Sequence, residues 1–327
     1  MTDGFGRVAR KLRISITDRC NMHCMYCMPY NNTEWFEQEN VLSYEEIFNL
    51  ANIFAGLGIK KIRVTGGEPT LRPKMEDLIS SLSTIRGIES VSMTTNGLLL
   101  REKAKQLKDA GLTSVNISLD TFRADRFKSM SGTDGLNQVL ASIKTADDAG
   151  LKLKINTVVV RGWNDDEVVD FARFARSMDY TVRFIEFMPL DGRGIWGSNL
   201  VVSKREIIER INRNIQELVP LKSDISDPAM LYSFLDGKGT IGFIPSITEP
   251  FCQYCDRIRI TSEGMFMTCL FANAGYDLKF LLRSKKSEDQ IKKYILECIK
   301  KKPEGVVSLI RSNALRPSLN LMHRIGG

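Results

Sequence analysis

Histidine is almost absent: His23 and His323 are the only two in 327 residues. That scarcity disfavours a catalytic triad or a multi-histidine metal site, since both need imidazole. No uninterrupted apolar stretch approaches the ~20 residues of a membrane helix. The opening Met1-Thr2-Asp3-Gly4-Phe5-Gly6-Arg7 lacks the apolar centre of a secretory leader, and no Pro/Gly/Ser-rich tract interrupts the chain. The seven cysteines are an odd number gathered in triplets, unlike the disulfide framework of a small secreted domain, so a reducing, cytoplasmic setting is expected. Acidic residues are in mild deficit, 39 against 46 basic, for a net charge of +7. This suits a polyanionic partner, nucleotide or nucleic acid, and equally suits ordinary solubility. What is present is globular, 43% hydrophobic and 26% charged, enough for one large α/β domain or two modest ones.

Between residues 11 and 213 short apolar strands alternate with helical patterns. Strands are predicted at Leu12–Thr17, Lys61–Thr65, Ser90–Thr95, Ser114–Leu119, Leu153–Val160 and Val182–Phe187, rich in β-branched residues as buried parallel strands are. Ser43-Tyr44-Glu45-Glu46 reads as a capping box opening a helix that ends near Gly56–Gly58. Further helices are predicted at Arg101–Ala110, Leu136–Ala149 and Asp165–Met178, the last with Asn164 as N-cap. Six strand–helix units imply a parallel sheet, as an open barrel or doubly wound. Polar residues gather where the strands end, at Asp18, Thr65-Gly66-Gly67-Glu68, Thr94-Thr95-Asn96-Gly97, Ser118-Leu119-Asp120, Asn156 and Glu186. One polar mouth favours a partial (β/α)6, TIM-like barrel. After residue 213 hairpins are predicted around Asp236-Gly237-Lys238-Gly239 and Ser262-Glu263-Gly264. The expected division is a core over 1–215 and a β-containing C-terminal appendage over 216–327.

Cys20, Cys24 and Cys27 form C-x3-C-x2-C directly after the first strand, with Tyr26 inside the loop and Met28-Pro29 stiffening its exit. Three thiolates this close can hold three corners of an iron–sulfur cube and leave its fourth iron open. Zinc, with His23 as a ligand, is the alternative on this motif alone. One unit later comes Gly66-Gly67-Glu68-Pro69. Its glycines would let a ligand approach the backbone, and Glu68 and the exposed carbonyls could accept from an ammonium group. Together these segments resemble the radical S-adenosylmethionine enzymes. The resemblance implies a partial barrel whose [4Fe-4S] cluster chelates S-adenosylmethionine and cleaves it reductively to a 5′-deoxyadenosyl radical.

A second triplet, Cys252-x2-Cys255-x13-Cys269, precedes or encloses Asp256-Arg257-Ile258-Arg259, and the chain ends Gly326-Gly327. The remaining Cys298 falls on one helical face with Ile291, Tyr294, Ile295 and Ile299 and reads as core packing. With these features, and with Thr17-Asp18-Arg19-Cys20-Asn21 and Phe184-Ile185-Glu186-Phe187-Met188-Pro189, nearly the whole chain resembles the molybdenum-cofactor GTP 3′,8-cyclases. By that resemblance Cys20, Cys24 and Cys27 hold one cluster, and Tyr26, Gly67, Ser118 and Met188 surround S-adenosylmethionine. Cys252, Cys255 and Cys269 hold a second [4Fe-4S] cluster. Arg13, Arg63, Thr94, Lys154, Arg257 and Arg259 meet GTP, and Arg257 and Arg259 with the diglycine tail are candidates for completing the radical chemistry. The implied partners are an electron donor and, through the product, a cyclic pyranopterin monophosphate synthase. Neither nucleic acid nor membrane is expected, and monomer and homodimer both remain open. Thr70 departs from the family, where an apolar residue is common after GGEP. The run Lys300-Lys301-Lys302 reads as solvated surface. Two rivals stand beside this reading. One is a radical peptide-modifying enzyme with an auxiliary cluster. The other is a zinc- and nucleic-acid-binding protein using the net positive charge.

Overall fold

The computed structural model describes residues 1–28, 34–191, 193–272, 274–312 and 322–326; Pro29 and Gly327, named above, lie outside them. Strands β1 (Lys11–Ser15), β2 (Lys61–Thr65), β3 (Ser90–Thr95), β4 (Leu112–Ser118), β5 (Lys152–Val159) and β6 (Thr181–Glu186) pair in parallel in chain order. Each begins and ends close to its predicted limits. Helices α1 (Tyr44–Gly56), α2 (Met75–Ser83), α3 (Leu100–Asp109), α4 (Ala124–Ser131), α5 (Leu136–Asp148), α6 (Val168–Met178) and α7 (Lys204–Asn214) supply the crossovers. Alternation along the strands divides two environments. In β1, Leu12 and Ile14 are fully buried in the apolar core, while Lys11 and Arg13 line the interior cavity of the barrel.

Local signals explain most helix starts. Ser43 and Glu46 form the predicted capping box of α1, which satisfies two otherwise unpaired N–H groups. Asn164 does not cap α6. Its side chain instead accepts from Val160 N and donates to the carbonyls of Asp120 and Val158, latching the β4 exit to the β5 exit. Of these seven helices, α2, α4 and α7 were not anticipated. For α2 the N-cap Lys74 has φ of 55° and makes no side-chain cap bond, so the usual Ser/Thr/Asp/Asn start signal is absent.

The two predicted hairpins form. Strand β8 (Met230–Phe234) pairs antiparallel with β9 (Thr240–Ile244), and β10 (Arg257–Ile260) with β11 (Met265–Met267). They also do something the spacing did not reveal: β9 pairs in parallel with β6, and β10 in parallel with β1. With β7 (Leu218–Pro220) and β12 (Tyr276–Asp277) at the ends, one 12-stranded sheet runs β12-β11-β10-β1-β2-β3-β4-β5-β6-β9-β8-β7. The C-terminal region therefore extends both edges of the barrel. Helix α8 (Leu278–Arg283), α9 (Glu288–Ile299), α10 (Val306–Arg311) and α11 (Met322–Ile325) complete the chain. Cys298 is buried on α9 beside Ile291, Ile295 and Ile299. Among the described residues no helix is long and apolar enough to cross a membrane.

Candidate functional site

The first cysteine loop leaves β1 and is pinned by its neighbours. His23 N donates to Ser131 O at 2.8 Å and Met25 N to Met130 O at 2.9 Å, both on α4. Arg193 donates to the carbonyls of Met28 and His23. Cys20 Sγ accepts from Met22 N at 3.4 Å and Asn96 Nδ2 at 3.8 Å. Burial, then the nearby charge of Glu68, pushes the Cys20 thiol up to about 11. Cys24 is driven well up by burial and by Cys27 and Cys20, and Cys27 is pushed up for the same reasons. Three buried thiols whose ionisation is disfavoured are a site short of positive charge, which a bound metal would supply. Tyr26 Oη donates to Asp120 Oδ2 at 2.5 Å, and Asp120, raised to about 6 by burial, also accepts from Val158 N.

The glycines of GGEP answer a packing demand from inside the chain. Gly67 N donates to Thr17 O at 2.7 Å and Glu68 N to Arg19 O at 2.8 Å. A Cβ at Gly66 would stand 2.6 Å from Thr17 O, and one at Gly67 would strike the carbonyl oxygens of Asp18 and Arg19. The two motifs are thus hydrogen-bonded halves of one loop pair. Glu68 is not available to an ammonium group, contrary to expectation: it is fully buried and accepts from Thr70 N, Thr70 Oγ1, Thr95 Oγ1 and Asn96 N. The departure at Thr70 is absorbed in that bracket. Any ammonium here must use backbone carbonyls.

A cavity of about 550 Å³ fills the barrel, and all six triplet cysteines line it, a size typical of small-molecule sites. Tyr26, Gly67, Ser118, Met188, Arg13, Arg63, Thr94, Lys154, Arg257 and Arg259 line it too, so every expected site residue is on one wall system. Sheet register explains the cationic wall: Arg13 sits between Arg63 on β2 and Arg259 on β10. Burial, with repulsion from Arg259, Arg63, Arg257 and Arg183, holds Arg13 well below the ordinary guanidinium value. Lys154 is brought down to about 8 by burial and then by Arg183 and Arg63. Arg257 Nη2 is buried without a partner among the described residues, with its guanidinium over the Phe251 ring. Such a wall is costly without an anion.

Arg183 was not anticipated. It lies 6% exposed on β6, its Nε donating to Asn156 Oδ1 at 2.9 Å. The signal was present, a lone cation inside an apolar strand as at Arg13 and Arg63. Asp227 on the cavity wall, paired to Lys11 Nζ at 2.6 Å, and Asp120 were also missed as site residues.

The second triplet has a different environment. Burial pushes the Cys255 thiol up, but Arg257 and Lys302 outweigh it and bring it down to about 7, whereas burial raises Cys269. Lys302 is 3% exposed, not solvated surface as its run suggests: Nζ donates to Cys255 O at 3.0 Å, Cys255 Sγ at 3.6 Å and Arg257 O at 2.9 Å. Arg7 donates to the carbonyls of Cys252, Pro303 and Glu304 while its Nε pairs with Asp3 Oδ2 at 2.6 Å. Among the described residues no group of three or more His, Cys, Asp or Glu is arranged to hold one metal ion. The tail also reaches the cavity wall. Arg259 Nη1 donates to Gly326 O, and a Cβ at Gly326 would meet Thr65 Oγ1 at 2.7 Å.

Comparison with known proteins matches residues 14–175 to the Radical SAM superfamily and residues 180–307 to Molybdenum Cofactor Synthesis C. The GTP 3′,8-cyclase of Thermodesulfovibrio yellowstonii is 42% identical over 100% of both chains. That of Pelotomaculum thermopropionicum is 41% identical over 93% of this chain and 94% of its own. The mitochondrial GTP 3′,8-cyclase of Arabidopsis thaliana is 36% identical over 98% and 83%. Among solved structures, Streptococcus suis SuiB bound to its precursor peptide SuiA aligns with a TM-score of 0.65 at 14% identity. The alignment covers 96% of this chain and 75% of that one, a likeness of fold. With a radical S-adenosylmethionine loop on its first strand and full-length identity above 40% to such enzymes, the chain belongs to the GTP 3′,8-cyclase family.

Proposed function

We propose that this protein is a GTP 3′,8-cyclase, a lyase that removes the 3′ hydrogen of GTP and joins C3′ to guanine C8, giving 3′,8-cyclo-7,8-dihydro-GTP. One observation carries the reading: two cysteine triplets share a single cavity whose strands present Arg13, Arg63, Arg183, Lys154, Arg257 and Arg259 to it. The donor sets suit two [4Fe-4S] clusters, since each triplet is three free cysteines with N–H donors on a sulfur. The first cluster, when bound with S-adenosylmethionine, supplies reductive cleavage of the sulfonium to a 5′-deoxyadenosyl radical. Around it Tyr26, Gly67, Ser118 and Met188 line the place for S-adenosylmethionine. The Tyr26–Asp120 bond fixes the side of that place nearest α4.

The chain's own work is positioning. Cyclisation within one molecule depends on near-attack geometry, and charge-assisted bonds to phosphate are worth roughly 1.5–3 kcal/mol each. Arg13, Arg63, Arg183 and Lys154 would hold the triphosphate, with Thr94 beside them. The base would then lie toward Cys252, Cys255 and Cys269, which would hold a cluster at three irons and so could leave the fourth for it. Arg257 and Arg259 line the same cavity, Arg259 in register with Arg13, and the Arg259–Gly326 contact brings the tail to that wall. Such clusters suit a reducing, cytoplasmic compartment and require an electron donor. The product would pass to a cyclic pyranopterin monophosphate synthase. The core is proposed to span 1–215 and the region carrying the second site 216–327.

Anaerobic reconstitution with iron and sulfide, followed by product analysis with S-adenosylmethionine and each nucleoside triphosphate in turn, tests this. The expected result is about eight irons per chain, with GTP alone cyclised and 5′-deoxyadenosine formed alongside. Cys24→Ala should abolish 5′-deoxyadenosine, and Cys252→Ala should retain some while losing GTP conversion. Normal cyclisation by Cys252→Ala, or zinc in place of iron, refutes the assignment.

A further inference from the structure

We propose that Lys302 is a positioning residue of the second cysteine site: its ammonium is the fixed counter-charge of the cluster held there, and it moves that cluster's reduction potential to more positive values. The inference rests on the two-cluster reading above.

The side chain arrives by an unusual route. Helix α9 ends at Ile299, and the chain turns through Lys301 N to Cys298 O and Lys302 N to Ile299 O. That turn leaves Lys301 exposed and swings Lys302 inward to 3% exposure. Its three acceptors are Cys255 O, Arg257 O and Cys255 Sγ. All belong to the segment that joins the Cys252–Tyr254 turn to β10, so one ammonium ties a cysteine to the start of the strand bearing Arg257 and Arg259.

Among the described residues no carboxylate pairs with Lys302; Asp256, the nearest in sequence to the site, pairs with Lys11. A buried ammonium without an anion is strongly unfavourable. Two backbone carbonyls satisfy its hydrogens but leave its charge unanswered, and its third hydrogen-bond acceptor, Cys255 Sγ, is an atom able to carry negative charge. An iron–sulfur cube with three thiolates is an anion, and it becomes more negative on taking an electron. A fixed cation at its sulfur therefore favours the reduced form, and hydrogen bonds to cluster sulfurs act in the same direction.

Position is protected from the other side. Arg7, itself paired with Asp3, donates to Cys252 O, Pro303 O and Glu304 O and so anchors both the triplet and the residues after Lys302. Gly305 completes the contact: a Cβ there would lie 2.6 Å from Cys252 Cβ and 3.0 Å from Cys252 Sγ. Among the described residues no lysine ammonium is hydrogen-bonded to the first triplet, where Cys20 Sγ accepts from a backbone N–H and the neutral Asn96 amide. At the second triplet a lysine ammonium reaches a sulfur instead, Lys302 Nζ lying 3.6 Å from Cys255 Sγ.

The test uses the full chain, reconstituted anaerobically, as wild type and as Lys302→Met, Lys302→Gln and Lys302→Arg. The same four are also made in a Cys24→Ala background that leaves only the second site to load. Iron is counted, and the midpoint potential is followed by electron paramagnetic resonance during a redox titration. The expected result is a more negative midpoint in Lys302→Met and Lys302→Gln, near wild type in Lys302→Arg, and no change in Lys301→Met. If Met and Gln variants lose the second cluster while Arg retains it, the positioning role stands on that rescue. A wild-type midpoint in loaded Lys302→Met or Lys302→Gln overturns the inference, as does loss of the cluster from all three variants, because volume rather than charge would then matter. Only four irons in the wild type would overturn the two-cluster reading and this inference with it; eight irons with unmoved midpoints overturn this inference alone.

Discussion

Gly67 has no room for a side chain, because the first cysteine loop lies directly on it. Gly67→Ala should separate the hydrogen bonds from Gly67 N and Glu68 N to that loop. Overpacking of this kind costs about 1–3 kcal/mol or more. Lower thermal stability together with loss of first-site iron checks this, and an unchanged iron content would contradict it. Arg183→Met should weaken GTP binding roughly 10- to 100-fold, the worth of one charge-assisted bond, while iron content stays unaltered. Equilibrium binding to the anaerobic protein decides it. The candidates marked by residue type and spacing, the cysteines, GGEP and the arginines of β1, β2 and β10, were legible in the chain, whereas Arg183 on β6 was passed over. Residues that act by where they fold were not legible. Lys302 looks like its solvated neighbours until the turn after α9 is seen. Glu68 looks like a free acceptor until Thr70, Thr95 and Asn96 are found to occupy it.

At the scale of elements, strands announced themselves because their outward residues are apolar and β-branched, whereas α2 and α4 have no side-chain N-cap bond to mark their starts. Helix α4 matters most, since its last residues, Met130 and Ser131, hold the cysteine loop. The N-terminal turn from Asp3 to Arg7 is likewise invisible as a motif, yet its buried pair braces Cys252. Arg7→Met leaves Asp3 buried and uncompensated, which typically costs about 3–5 kcal/mol. The expected outcome is a lower denaturant midpoint together with poorer iron retention at the second site, measured by unfolding curves and iron analysis. Asp3→Asn/Arg7→Met, removing both charges, should recover part of the stability. By contrast Ser43→Ala should cost only about 0.5–2 kcal/mol, the loss of one helix cap, and leave both cysteine sites loaded.

For the whole molecule, the shared cavity makes charge a collective property. Burial and the arginines bring Lys154 from 10.5 down to about 8. Between those values the unfolded chain binds the extra proton and the folded, substrate-free chain does not, so stability rises with pH across that window. Bound triphosphate favours the ammonium and reverses the preference. GTP affinity should therefore be level below pH 8 and fall by up to tenfold per unit above it, and Lys154→Arg should flatten the decline. A calorimetric titration that found no decline in the wild type would contradict the placement of Lys154. What no local pattern could disclose was the order of strands, because β1 and β10 touch across more than 200 residues and partner choice of that kind is written in tertiary contacts. The order has a cost during synthesis. Residues 240–260 are made late, yet they border β6 and β1, both of which are made before them. A growing chain must keep two raw sheet margins from sticking to other molecules until its last third emerges from the ribosome. A fragment ended at residue 215 should aggregate where the intact protein stays dispersed.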